Sequence, residues 1–150
     1  MIAVIVAASI GLLIVLIMLL ISRFVSSTGK AAVEEADRLL GDEHIILREA
    51  GAPLFGIRSL GAGQIRGNGV LTLTKQRLHF LMWLPRRELS IPRERIITVE
   101  TPKSFMGRSV FRDLLQVNYM NEDGEPDAAA WAASDPAEWR AFLASTAGDS

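Results

Sequence analysis

Cysteine is absent from the 150 residues, and histidine occurs only at His44 and His79. Without cysteine there is no disulfide framework and no thiolate nucleophile, and a zinc site would lack most of the ligands it prefers. No H-E-x-x-H, G-x-S-x-G or G-x-x-x-x-G-K-[ST] pattern occurs. "GAGQIRGNG" (residues 61–69) has its third glycine one position too late for a dinucleotide fingerprint, and it leads into a strand pattern rather than a helix. It reads as a hairpin loop. His79, between Leu78 and Phe80, reads as an exposed or edge histidine. No catalytic constellation, metal or cofactor is therefore expected, and a binding module is favoured over an enzyme.

Charge is missing from residues 1–21, where Ser9 is the one polar side chain. Twenty helical residues rise about 30 Å, the thickness of a bilayer's hydrocarbon core. The competing reading, a cleaved signal peptide, calls for a shorter apolar run, a basic segment before it and a small-residue site after it. Here the run is longer, no Lys or Arg precedes it, and Ile21-Ser22-Arg23-Phe24 offers no such site. A retained transmembrane helix over residues 1–22 is expected. Basic residues follow it at Arg23, Lys30 and Arg38. The positive-inside rule then places the N-terminus outside the cell membrane and the body in the cytoplasm. Alanine richness and lean loops point to a bacterial source.

The net charge of −1 conceals a gradient: residues 57–112 carry +8 and residues 113–150 carry −7. Either the basic middle meets an acidic partner or the tail neutralises it.

After a polar break at residues 26–29, Ala31, Ala32, Val33, Ala36, Leu39 and Leu40 recur at helical spacing and stop at Gly41. Residues 23–41 thus read as a juxtamembrane linker with a short amphipathic helix. From residue 42 to 147 the period shifts toward two. Ile45-Ile46-Leu47 and Leu54-Phe55-Gly56-Ile57 read as strands separated by Ala50-Gly51-Ala52-Pro53. Residues 70–74, the run Leu78, Phe80, Met82, Leu84, and Leu89 with Ile91 read as three more. Ile96, Ile97 and Val99 continue the pattern, and Leu115, Val117 and Tyr119 mark a late strand. The alanine-rich residues 127–133 are poor β-formers, so a short or irregular last strand is expected there. Asp135, Pro136 and Glu138 start a closing helix whose Trp139, Phe142 and Leu143 form an apolar stripe.

"GVLTLTKQRLHF" (residues 69–80), "LSIPRERIITVE" (89–100), "LLQVNY" and "DPAEWRAFL" follow one another in the order of a GRAM-like domain. Residues 42–145 resemble this branch of the pleckstrin-homology (PH) superfold. The resemblance implies an α+β domain: a bent, mostly antiparallel sheet or partly open barrel of six to seven strands, closed by a C-terminal helix. It also implies basic loops that hold anionic lipid head groups. On that basis Arg58, Arg66, Arg86, Arg87, Arg93 and Arg95 are the candidate lipid-binding residues, with Lys103 adding to the same field. Solvated edge charges are the plainer reading of the same residues. The alternative function is a protein-docking or assembly subunit that uses the sheet face or edge. Nucleic acid is not an expected partner, because only Phe80, Trp83 and Phe105 could stack on bases there. Within the span, Ala3, Ala7 and Gly11 form a small-residue stripe for self-association.

Overall fold

The computed structural model describes residues 1–145, with Ala3, Val25 and Ser26 described by their backbone alone. Residues 146–147, the end of the expected domain, lie outside the described residues. The first element, α1 (Ile2–Leu40), is one unbroken helix. Its most apolar window has a mean hydropathy of 3.2 and is wholly exposed, so this helix is apolar enough to span a membrane. The polar break expected at residues 26–29 is helical instead. Hydroxyls there bond back to the helix's own carbonyls: Ser27 Oγ donates to Phe24 O at 3.2 Å, and Thr28 Oγ1 to Phe24 O at 2.9 Å. Satisfied in this way, polar side chains need not end a helix.

Among the described residues nine strands follow: β1 (Ile45–Ile57), β2 (Asn68–Thr74), β3 (Arg77–Trp83), β4 (Arg86–Pro92), β5 (Ile96–Glu100), β6 (Ser104–Phe105), β7 (Arg108–Ser109), β8 (Leu115–Met120) and β9 (Pro126–Trp131). Seven of them form an antiparallel sheet in the order β4-β3-β2-β1-β9-β8-β5, while β6 and β7 make a separate small hairpin. The expected α+β architecture is present. Its two edges, β4 and β5, are consecutive in the chain but not hydrogen-bonded to each other, so the sheet is not a closed barrel.

Two local expectations change. The two strands placed on either side of Ala50-Gly51-Ala52-Pro53 are one strand, β1. Register shifts at residues 45–47 and 50–52 absorb the irregular segment, with Gly51 at φ +84°. Such bulges let a strand bend without ending. The first part of β1 pairs with β2 and the last with β9. The second change is β9 itself, which is regular and central rather than short and irregular. Ala128, Ala129 and Ala130 are fully buried between β1 and β8. Low intrinsic β-preference yields here to burial on both faces of the sheet.

The main core joins Leu71, Leu73, Leu78, Phe80, Met82 and Ile91 to Leu115, Val117, Tyr119 and Trp131. Phe80 meets Trp131 edge-on, with ring centroids 5.7 Å apart. Burying side chains of this size stabilises by roughly 2–3 kcal/mol each. Helix α2 (Pro136–Ser145) closes the core with Trp139 and Leu143, while Phe142 stays 39% exposed. Asp135 caps it, Oδ1 accepting from Glu138 N at 3.1 Å. Gly69 is fixed by close approach: a Cβ there would overlap the Leu81 carbonyl oxygen and come within 2.7 Å of the Phe80 ring.

The last turns of α1 lie on the opposite sheet face. Ala32 and Ala36 pack on Val70 and Leu81. Glu35 pairs with Arg86 and Asp37 with Arg48, both at 2.7 Å. Arg77 Nη2 pairs with Glu43 at 2.6 Å and donates to Leu39 O at 3.3 Å.

Candidate functional site

Helix α1 defines which end of the sheet lies nearest the apolar span. Its Thr28 shares a small groove with Trp83, at the end of β3, while Leu39 meets Arg77 at the start of β3. The near end is therefore that of the β3–β4 turn at Leu84-Pro85. Loop 58–67 belongs to the same end, because Gly69 pairs with Met82 and Gly67 lies against the Leu84 carbonyl. Leu84 is 74% exposed there and Ile65 61%.

The six arginines singled out from the sequence do not share one site. Arg86 is held by Glu35 of α1, and its guanidinium keeps the Glu35 carboxyl below the usual carboxylate range. Arg93 donates to Thr74 O at 3.1 Å and to the Phe142 and Leu143 carbonyls at 3.3 Å, binding β2 to the end of α2. Arg66 Nε donates to Phe55 O at 2.5 Å, and the exposed Arg58 guanidinium lies 5.7 Å from the centroid of the Phe105 ring. These last two are neighbours at the near end.

Arg87 and Arg95 line a cavity of about 460 Å³ in the open seam between β4, Ser59-Leu60 and the β8–β9 turn. One guanidinium nitrogen of Arg87 is buried there without a partner. Asp127 lies in the same lining and accepts from Ser59 N (3.0 Å), Ser59 Oγ (2.6 Å) and the Tyr119 hydroxyl (3.2 Å). Burial and this carboxylate both push the Tyr119 phenol far up. Because Glu88, Glu122, Asp123 and Asp127 face only two arginines, the seam is a poor anion site.

His79 is fully buried, contrary to the exposed position expected of it. It sits on the sheet face that α1 covers, between Leu81, which packs on Ala36, and Arg77, which reaches Leu39. Its Nε2 lies 3.0 Å from Glu88 Oε1. Burial lowers its pKa, and the Glu88 contact opposes that shift without cancelling it. Among the described residues, no three His, Asp or Glu side chains gather into a metal-binding group. In the span, Ala7 and Gly11 lie exposed on the helix surface, and the side chain of Ala3 falls outside the described residues.

Sequence reasoning named Lys103 but passed over its neighbours Arg108, Phe111 and Arg112. Lys103, Arg108, Phe111 and Arg112 lie on the connection between β5 and β8, next to Arg58 through Phe105. The signal was the interleaving of basic and aromatic residues in "KSFMGRSVFR". Among the described residues no ion pair joins residues 113–145 to the basic middle; the pairs involve only Glu35, Asp37, Arg38, Glu43, Arg48, Arg77, His79, Arg86 and Glu88.

No protein-family model matches the chain, and no curated protein matches it. Among solved structures, it is similar to the C-terminal domain of an unknown protein from Leishmania infantum. The TM-score is 0.57 at 15% identity, covering 78% of this chain and 95% of that one. At this identity the likeness concerns the fold alone.

Proposed function

We propose that the chain is a single-pass membrane protein whose PH-like, GRAM-like domain reads the anionic surface of the membrane that anchors it. It acts as a binding module, with the N-terminus outside and the sheet in the cytoplasm. The strand order β4-β3-β2-β1-β9-β8-β5 with a C-terminal helix supports the PH-like reading. Basic residues flanking only the C-terminal side of the span support the orientation.

The carrying observation is that α1 runs unbroken from its apolar stretch into its seat on β2 and β3. Residues 22–27 separate the span from the docked turns and add about 9 Å along the helix axis. The near end of the domain then stands within the head-group layer and about one Debye length of lipid charge. Arg58 and Arg66 are placed to use it, each basic side chain near an anionic surface contributing about 1 kcal/mol.

The absence of cysteine makes single-site labelling clean. A nitroxide on Leu84→Cys, in the full chain reconstituted into lipid nanodiscs, is expected to be more accessible to lipid-dissolved oxygen than to a water-soluble nickel chelate. Aqueous accessibility in anionic discs would sink the membrane reading and leave protein docking. Docking has its own support in the unpaired edges β4 and β5, the latter with Ile97 55% exposed.

A further inference from the structure

The connection between β5 and β8, residues 101–114, is firmly rooted and bare over residues 111–113. Phe105 and Leu114 are buried with Ala128 and Ala130 in an apolar cluster separate from the main core, and Phe55, Met106 and Val110 pack around them. Leu114 N donates to Pro102 O at 2.7 Å across the base, and Ser109 Oγ to Lys103 O at 2.9 Å. From this rooted loop Phe111 projects 98% exposed, at φ +54°, a backbone region that non-glycine residues seldom occupy. The fold thus spends an unfavourable backbone conformation to hold a phenyl ring in water. A ring so placed packs on nothing among the described residues.

The surroundings of that ring are cationic. Among the described residues, Lys103 and Arg108 are exposed without a carboxylate partner. Arg112 donates to the Ala132 and Ala133 carbonyls, at 2.9 and 2.5 Å. Arg58 lies over Phe105 at the root. Asp113 is the single acid among residues 101–114, so the loop carries +2, and Arg58 with Arg66 raises the patch to +4. Neither the seam cavity nor the groove beside Thr28 is lined by these residues. A lone exposed aromatic among spaced cations, outside both of these cavities, matches a soft planar surface better than a shaped partner: aromatic rings settle at the bilayer interface, and basic side chains meet lipid phosphates.

The topology also directs the patch. Strand β1 starts at Ile45, paired with Thr74 at the end of the sheet far from the span. It passes Pro53, opposite Asn68 at the near end, and continues to Phe55 and Ile57. The loop is rooted on Phe55 and so belongs to the near end as well.

We propose that residues 101–114 form a membrane-inserting finger: Phe111 enters the interfacial layer of an anionic bilayer while Lys103, Arg108 and Arg58 contact lipid phosphates. This rests on the membrane-reading function above and adds the element that makes the contact. The test uses the full chain in nanodiscs of phosphatidylcholine, with or without phosphatidylglycerol, and a nitroxide on Phe111→Cys. In anionic discs the oxygen-to-nickel accessibility ratio rises above its value in detergent solution. It returns to that value in high salt, in zwitterionic discs, and in a Lys103→Glu/Arg108→Glu background whose near-ultraviolet dichroism shows an intact fold. A ratio unchanged by anionic lipid overturns the finger, as does one raised equally in zwitterionic discs. The Leu84 label separates the two readings. An elevated ratio at Leu84 with a solution value at Phe111 removes the finger and keeps the membrane-reading function; solution values at both remove the two together.

Discussion

The half of the sheet beneath α1 and the half that carries the finger use their basic side chains in opposite ways. Under the helix, Arg48, Arg77 and Arg86 each hold a carboxylate of α1 or of the segment just after it, at 2.6–2.7 Å. Around the connection between β5 and β8, Lys103, Arg108 and Arg58 hold none among the described residues. In the first half arginine is a fastener, and the helix is its partner. In the second it has no carboxylate to fasten among the described residues. The lesson concerns net charge: +8 over residues 57–112 is not one field but a spent portion and a free one.

The sharpest way to break the comparison is to remove the covered half's geometry. Gly69→Ala forces a Cβ against the Leu81 carbonyl and the Phe80 ring. A loss of about 3 kcal/mol is expected, read as a lower denaturant midpoint of the full chain in detergent. An unchanged midpoint would mean that β2 and β3 do not approach as described.

A smaller effect comes from pH, and it too should belong to the covered half. His79 has its pKa lowered by burial, so between its folded value and the ordinary one near 6.5 the unfolded chain binds the proton more readily. Stability is then full above about pH 6.5 and declines as pH falls below it. The thermal midpoint should drop between pH 7.5 and 5.5, and His79→Gln should flatten that drop. Equal slopes in both proteins would place the pH dependence elsewhere.

The smallest effects sharpen the contrast directly. Arg86→Ala removes a partly exposed pair with Glu35 and should lower the midpoint slightly but measurably. Arg108→Ala removes no ion-pair partner among the described residues, so the midpoint should stay within about 0.5 kcal/mol of its original value. A larger loss from Arg108→Ala than from Arg86→Ala would reverse the assignment of fastener and free charge.

Much of the fold was legible because it follows from period and punctuation. The alternation in β2 and β3 separated Leu71, Leu73, Leu78 and Phe80, now core, from Thr72 and Thr74 on the other face. The Asp135 cap and the buried pair Trp139 and Leu143 followed from spacing. What misled was local propensity. Ala128, Ala129 and Ala130 looked unfit for a strand, yet the centre of a sheet covered on both faces accommodates small side chains. Residues 26–29 looked like a break, yet a hydroxyl can satisfy itself on its own helix. The basic residues were legible only as a composition.

The sequence alone determined an uncharged helix long enough to cross a bilayer, an antiparallel domain closed by a helix, and a basic middle beside an acidic tail. Each of these is written in local order: hydropathy over 20 residues, alternation over five, charge over fifty. Only the tertiary structure decided which arginines are spent. Arg86 lies 51 positions from Glu35 and Arg93 nearly as far from the carbonyls that end α2. Such pairings arise when packing brings distant segments within hydrogen-bond reach, and no local pattern encodes them. The same packing buried His79 beneath α1 and left Phe111 in water, because burial belongs to the folded surface rather than to the residue.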